Sequence, residues 1–187
     1  QVHRELASGL SMPIGFKNAT DGSVKAAING CYAASQQHGF FGVDHLGRAC
    51  VVETLGNPDC HVVLRGSSHS PNYDAGSIAA AMAEARAEMP EGSAAVCGLV
   101  VDCSHVNTGK DEGRQAEVVR ELAARIGEGE PGIAGLMMES FIEGGSQPAG
   151  PLDTLVYGRS ITDRCISWAD TEVLLRALAR AVADRRS

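Results

Sequence analysis

Five side chains that could do chemistry are spaced so that each follows a stretch predicted to be a β-strand. Lys17, Arg65, His105 and Glu139 lie at or just after the ends of successive predicted strands, and Asp163 lies in the loop after the fourth. The carboxyl ends of parallel strands meet at one edge of a sheet, where barrel enzymes place their active sites. Each residue alone is more often a solvated strand end, but four successive strands ending this way favour a functional site.

The five side chains fall into two chemical groups. His105, Glu139 and Asp163 offer an imidazole and two carboxylates, which suit a divalent first-row metal and leave a position open for substrate. Their nearest nitrogen and oxygen atoms should lie within about 5 Å of each other. Lys17 and Arg65 carry fixed positive charge, which suits phosphate and carboxylate groups. We expect these two cations to face one pocket beside the metal ligands, with few carboxylates close to them.

The elements that must position these residues alternate between strand and helix. Short runs of apolar and β-branched residues predict strands over residues 12–16, 61–64, 96–101 and 133–138. Amphipathic or Ala-rich runs predict helices over about residues 22–37, 74–89, 113–126 and 170–183. Two further strands around residues 40–54 predict an inserted β-hairpin. Alternating βα units predict a parallel sheet, either a small open sheet or half of an eight-stranded barrel. A helical stub at residues 2–10 favours the half barrel.

Composition and charge exclude several classes of protein. A chain of 187 residues with 44% hydrophobic residues is long enough for one domain with a core. A net charge of −7 without a basic cluster argues against nucleic acid as a partner. The sequence contains neither an apolar run as long as a membrane span nor a signal peptide at its start. Six cysteines without a CxxC pair predict reduced thiols in a cytoplasmic protein rather than a disulfide framework.

Seven ordered motifs carry a resemblance to a known family. They are Gly15-Phe-Lys-Asn18, Gly56-Asn-Pro-Asp-Cys-His61, Leu64-Arg-Gly66, Pro71-Asn-Tyr73, Asp102-Cys-Ser-His105, Met138-Glu-Ser140 and Ser160-Ile-Thr-Asp163. In these motifs the chain resembles the type I 3-deoxy-D-arabino-heptulosonate 7-phosphate (DAHP) synthases over its whole length. The resemblance implies an α/β fold in which residues 1–187 form a single partial domain. This domain is the carboxyl-terminal half, about four βα units, of a TIM (β/α)8 barrel with the inserted hairpin at about 40–54.

The resemblance also implies a function and assigns roles to the five side chains. DAHP synthase (phospho-2-dehydro-3-deoxyheptonate aldolase) is a cytoplasmic transferase that condenses phosphoenolpyruvate with erythrose 4-phosphate to DAHP and phosphate. This reaction opens the shikimate pathway to the aromatic amino acids. The family holds one divalent metal (Mn, Fe, Co or Zn) with a Cys, a His, a Glu and an Asp, and the last three match His105, Glu139 and Asp163. Catalytic roles fall on Lys17, Arg65 and His105, and the first two bind phosphoenolpyruvate.

Parts of the family's site lie outside this sequence. The metal-binding Cys after the first strand and the Lys-Pro-Arg-Thr segment after the second belong to an amino-terminal half that the sequence lacks. We expect that half either upstream of Gln1 or on a second chain, and we expect a homo-oligomer. This chain alone should be inactive. Two alternatives remain open: an amino-DAHP synthase of antibiotic biosynthesis, and a non-catalytic half barrel that binds phosphate or a partner.

Overall fold

A computed structural model describes residues 1–186, so Ser187, the last residue of the predicted domain, lies outside it. Its helices are α1 (Val2–Ser8), α2 (Lys25–Ser35), α3 (Ala75–Glu88), α4 (Ala94–Cys97), α5 (Gln115–Gly127) and α6 (Trp168–Arg186). The first six strands are β1 (Gly15–Lys17), β2 (His38–Val43), β3 (Ala49–Thr54), β4 (His61–Leu64), β5 (Leu99–Asp102) and β6 (Ile133–Met137). The other four are β7 (Ser140–Phe141), β8 (Glu143–Ser146), β9 (Arg159–Ser160) and β10 (Ile166–Ser167). Three short 3₁₀ turns span His105–Thr108, Glu112–Arg114 and Leu152–Thr154.

A four-stranded sheet in the order β1-β4-β5-β6 forms the centre of the fold. All three of its strand pairs are parallel, and helices lie in each connection between them. This confirms the predicted α/β fold with a parallel sheet. Within the described part of the chain, the outer strands β1 and β6 each pair on one side only. The sheet therefore has two open edges.

The two faces of the sheet differ because side chains alternate along a strand. One face lies toward the helices and forms part of the hydrophobic core. Its side chains there are Phe16, Val62, Leu64, Leu99 and Val101. The intervening residues point the other way, as shown by Gly15, where a Cβ atom would lie 2.7 Å from Val63 Cγ2. Lys17 and Asp102 belong to this second set, and Arg65 continues it just beyond β4. Strand periodicity thus carries the polar residues to the face away from the helices.

Helix α5 shows how the core is built. Its buried apolar residues recur at helical spacing, and they are Val118, Val119, Leu122, Ala123 and Ile126. They pack with residues of the strands and of the other helices in one hydrophobic cluster. Burying one Leu or Val fully contributes about 1.5–3 kcal/mol, so this stripe anchors the helix. Between residues 1 and 186, no helix combines the length and apolar character needed to cross a membrane.

The predicted hairpin is confirmed, because β2 and β3 pair antiparallel from His38 opposite Thr54 to Val43 opposite Ala49. Its turn is closed by Asp44, whose Oδ1 accepts hydrogen bonds from Leu46 N and Arg48 N, both at 2.9 Å. The hairpin is therefore a separate two-stranded sheet, inserted in the chain between α2 and β4.

Several boundaries differ from the sequence prediction. The strand predicted over residues 12–16 spans only Gly15–Lys17. The strand predicted from residue 96 begins only at Leu99, because Ala94–Cys97 form the short helix α4. Gly98 lies so close to β6 that a Cβ atom would come within 2.8 Å of Ala134 Cβ. The region after β6, predicted as a loop, contains the short strands β7 to β10, in which β7 pairs with β10 and β8 with β9.

Candidate functional site

The three predicted metal ligands converge. His105, Glu139 and Asp163 each offer one ligand atom, and these atoms all lie within 4.8 Å of one another. Three donors around one ion, at bond lengths of about 2.0–2.2 Å, lie about 3.3–3.8 Å apart, so a movement of about 1 Å or less by each would seat all three on one ion. One imidazole nitrogen and two carboxylate oxygens fit a divalent first-row metal. The residues present therefore fit the group that the resemblance implies.

A cavity of about 230 Å³ opens onto this cluster. The cavity is lined by all three residues of the cluster and also by Lys110 and Arg164. Lys17 and Arg65 are not among its lining residues. Lys17, at the end of β1, nevertheless lies beside the cluster, since its Nζ and His105 Nδ1 both contact Asp102 Oδ2. Arg65 follows β4 directly, and the expectation that both cations face one pocket with the candidate metal ligands stays a prediction.

His105 is held in an unusual backbone conformation just after β5. Its φ angle is 52°, in the left-handed region that costs a non-glycine residue about 1–2 kcal/mol. Its Nδ1 lies 2.9 Å from Asp102 Oδ2 and 2.7 Å from Ser104 Oγ. Its Nε2 lies 3.6 Å from Glu139 Oε1. One ring nitrogen therefore contacts Asp102 and Ser104, and the other faces the cluster.

Asp102, at the end of β5, has no solvent exposure. Its Oδ2 accepts a hydrogen bond from Lys17 Nζ at 2.7 Å, and its Oδ1 accepts from Ser104 N at 3.0 Å and Ser104 Oγ at 2.7 Å. Burial raises the pKa of this carboxyl, but the bonds from Lys17 and Ser104 outweigh burial and hold the pKa below its ordinary value. The carboxylate is therefore ionised near neutral pH.

The Lys17–Asp102 ion pair departs from the prediction that few carboxylates lie close to the cations. The strand alignment explains it. Lys17 is paired with Val63, and Val63 is paired with Val100. Asp102 is the next residue after Val100 on the same face, so the long lysine side chain reaches it across β4. Arg65 differs, since it forms no salt bridge within residues 1–186.

Glu139 is positioned by a buried glutamine at the start of α5. Gln115 is 1% exposed; its Oε1 accepts a hydrogen bond from Glu139 N at 3.0 Å, and its Nε2 donates to Glu139 O at 3.4 Å. Burial raises the pKa of the Glu139 carboxyl above its ordinary value; Asp163 and Asp102 also raise it, while His105 and Lys17 lower it. The negative groups that surround Glu139 thus favour either a proton or a cation at this point.

Asp163 is exposed, but the loop that carries it is tied down at the next residue. Arg164 Nε lies 2.7 Å from Glu112 Oε2, in the 3₁₀ turn that follows β5. This ion pair joins the loop after β9 to the segment that leads from His105 into α5. Two of the three candidate ligands are therefore carried by segments that contact one another.

Three asparagines hold the backbone on both sides of Arg65. Arg65 N donates to Asn18 Oδ1 and Gly66 N donates to Asn72 Oδ1, both at 2.7 Å. Asn18 Nδ2 also donates to Gly66 O at 2.9 Å, and Asn107 Nδ2 donates to Leu64 O at 3.3 Å. Each asparagine comes from a different strand-to-helix segment. The loop after β4 is thus fixed by its neighbours on both sides.

Comparison with known proteins identifies the family. A family model described as the DAHP synthetase I family matches residues 1–176. The chain belongs to this family.

The similarity to other DAHP synthetase I proteins covers the whole chain but only about half of theirs. It is 46% identical over 194 residues to a phospho-2-dehydro-3-deoxyheptonate aldolase of Corynebacterium glutamicum, covering 100% of this chain and 51% of that protein. A Phe-sensitive aldolase of the same name from Escherichia coli is 44% identical over 189 residues, again with 100% and 51% covered. A solved aldolase structure from Francisella tularensis superposes with a TM-score of 0.89 at 36% identity, covering 100% of this chain and 53% of that one. The chain therefore spans about half the length of the curated relatives it matches.

Sequence reasoning missed two residues that position the side chains of this candidate site. Asp102 enters the sequence analysis only as the first residue of the Asp102-Cys-Ser-His105 motif, without a role of its own. Its alternation with Val100 and its place three residues before His105 could have indicated one. Gln115 gave no signal, since it opens a helix distant in sequence from Glu139.

Proposed function

We propose that this chain is the carboxyl-terminal half of the (β/α)8 barrel of a DAHP synthase. The complete barrel, meaning this chain together with the half that its relatives have in addition, condenses phosphoenolpyruvate with erythrose 4-phosphate to DAHP and phosphate. This is the first step of the shikimate pathway to aromatic amino acids. The observation that carries the proposal is the convergence of His105, Glu139 and Asp163 at the carboxyl edge of the sheet, in a chain of this family.

The open edges of the sheet support the half-barrel arrangement. A barrel of this class closes with eight strands, and the sheet here has four, with β1 and β6 unpaired outside. Apolar side chains of α6 also face solvent, with Trp168 and Val173 each 58% exposed and Leu175 45% exposed. These edges and side chains are where a second half would pack.

His105, Glu139 and Asp163 would hold one divalent metal, Mn, Fe, Co or Zn, and the resemblance assigns a fourth ligand, a cysteine, to the other half. When bound, such an ion polarises a carbonyl oxygen, here that of the erythrose 4-phosphate aldehyde. The backbone of Glu139 is fixed by Gln115, and the ring of His105 by Asp102 and Ser104. The ligands are thus oriented before an ion arrives.

Lys17 and Arg65 bind phosphoenolpyruvate through its phosphate and carboxylate. Arg65 has no salt-bridge partner within the described residues, so its guanidinium is free for a bidentate contact. The pair orients the substrate so that its C3 attacks the aldehyde carbon, water adds at C2, and phosphate leaves. Positive charge from Lys17 and Arg65 offsets the negative charge of the substrate as these bonds rearrange. All six cysteines are free thiols, which suits the reducing cytoplasm.

The test is turnover by the complete barrel, followed as phosphoenolpyruvate consumption with erythrose 4-phosphate and Mn²⁺. His105→Ala should abolish turnover and weaken Mn²⁺ binding, while circular dichroism shows an unchanged fold. His45→Ala is the matched control, since His45 is exposed at the hairpin turn and should leave both unchanged. Full activity of His105→Ala would refute the site assignment.

A second arm tests the half-barrel arrangement. Residues 1–187 alone should consume no phosphoenolpyruvate and should self-associate through their open sheet edges. Turnover by a soluble monomer of this chain would contradict the proposal. Consumption with an aminated aldehyde instead of erythrose 4-phosphate would indicate an amino-DAHP synthase, and metal or phosphate binding without turnover would indicate a non-catalytic module.

A further inference from the structure

We propose that Asp102 is a positioning residue that orients the imidazole of His105 and the ammonium of Lys17 with one carboxylate. The inference rests on the proposed function, because it assigns His105 to the metal and Lys17 to the anionic substrate. It adds a residue that connects the metal-binding part of the site, at His105, with the substrate-binding part, at Lys17, which belong to different segments of the chain.

Both oxygens of the Asp102 carboxylate are engaged by donors. Oδ2 is shared between Lys17 Nζ at 2.7 Å and His105 Nδ1 at 2.9 Å, while Oδ1 accepts two hydrogen bonds from Ser104. Its backbone oxygen accepts a further bond from Asn107 Nδ2 at 2.8 Å. With no solvent exposure, the carboxylate has no water competing for these partners. Its position therefore fixes theirs.

The hydrogen-bond pattern assigns the tautomer of His105. An ionised carboxylate can only accept, so the single hydroxyl proton of Ser104 is directed to Asp102 Oδ1. The Ser104 oxygen, 2.7 Å from His105 Nδ1, is then an acceptor like Asp102 Oδ2. Both neighbours require a proton on Nδ1. The lone pair is thereby left on Nε2, the nitrogen that faces Glu139.

A carboxylate behind a metal-binding histidine sets the ring orientation and raises the basicity of the ligand nitrogen, and its loss typically lowers metal affinity by about 10- to 100-fold. Asp102 acts on Lys17 in the same way. Of the three ammonium protons, one is directed to Asp102, which leaves two for a substrate oxyanion. Because Lys17 and His105 share one oxygen atom, Asp102 holds the substrate-binding ammonium of Lys17 and the metal-binding imidazole of His105 at a fixed separation.

Asp102→Asn in the complete barrel tests this role. The amide keeps the size of the side chain. Its NH₂ group cannot accept the hydrogen bonds that Lys17, His105 and Ser104 now donate to the carboxylate. The dissociation constant for Mn²⁺, measured by competition with a chelating dye, should rise by about 10- to 100-fold, and phosphoenolpyruvate should also bind more weakly. Asp59→Asn is the matched control, because Asp59 is exposed in the loop before β4, at the opposite end of the sheet, and both affinities should be unchanged.

A second measurement does not depend on the variant folding. ¹⁵N NMR of the imidazole nitrogens in the wild-type protein without metal should show the proton of His105 on Nδ1. A proton on Nε2 would overturn the proposal. So would an unchanged affinity for Mn²⁺ in the Asp102→Asn variant, even if the variant melts at a lower temperature. Failure of the proposed function looks different, since the wild-type barrel would then neither bind Mn²⁺ nor turn over.

Discussion

Replacing Gly66 by alanine should be among the most damaging single-methyl changes in this protein, and its cost can be worked out from the structure. Gly66 follows Arg65 with φ +82°, and a Cβ atom there would lie 2.8 Å from Val106 Cβ and 3.0 Å from Asn107 N. The left-handed backbone costs a non-glycine residue about 1–2 kcal/mol. Forcing an extra methyl group into a packed region costs about 1–3 kcal/mol. Together these predict a loss of about 2–5 kcal/mol in the free energy of unfolding.

Gly47 offers a control that isolates the second term. Its φ is +78°, but a Cβ atom there would meet nothing within 4 Å. Gly47→Ala should therefore lose only the backbone term, about 1–2 kcal/mol. Urea unfolding of both variants in the complete barrel, followed by circular dichroism, gives the difference. Equal losses in the two variants would refute the steric reasoning, and Gly66→Ala should in addition weaken phosphoenolpyruvate binding through Arg65.

Three further outcomes are expected. Asn107→Ala should cost at least about 2 kcal/mol in thermal unfolding, because it removes the partner of Asp102 O in a buried site and that of Asn72 N in a partly buried one. Leu122→Ala, at a site with no exposure, should cost about 2–5 kcal/mol, whereas Leu152→Ala, 89% exposed, should cost almost nothing. The hydrogen bonds from Arg125 lower the pKa of Glu130 below its ordinary 4.5, so this pair stabilises the fold above that pH and less as the pH falls through the lowered pKa. Melting temperatures across that range should therefore drop more steeply in wild type than in Glu130→Gln, and parallel curves would contradict the assignment.

The fold could be predicted where hydrophobic pattern and strand order agree. The buried strands β4 and β6 and the hairpin fell where their apolar runs placed them, since both features are local. The start of β5 was wrong because Ala94–Cys97 is an apolar run that suits a helix or a strand equally. Strands such as β7 and β10, two residues long each, carry no periodicity and are specified only by their partners.

The site could be predicted at the level of residue type but not of contact. Strand ends gave Lys17, His105 and Glu139, and the structure brings the last two together with Asp163. The Lys17–Asp102 pair depends on the alignment of three strands, which the sequence alone does not fix. Contacts across strands were therefore the part that the sequence could not supply.

The inserted hairpin forms its own two-stranded sheet, and neither of its strands pairs with the central sheet. Its two ends, His38 and Thr54, lie directly opposite each other, and Thr54 is anchored to the body of the protein by a hydrogen bond between its Oγ1 and Ser8 Oγ at 2.7 Å. Everything beyond that anchor could be shortened, or replaced by a reporter peptide at the exposed turn around His45, without moving a strand of the central sheet. Natural variants should differ in length at that turn more often than elsewhere. The turn is also a suitable insertion site for tags or sensor peptides.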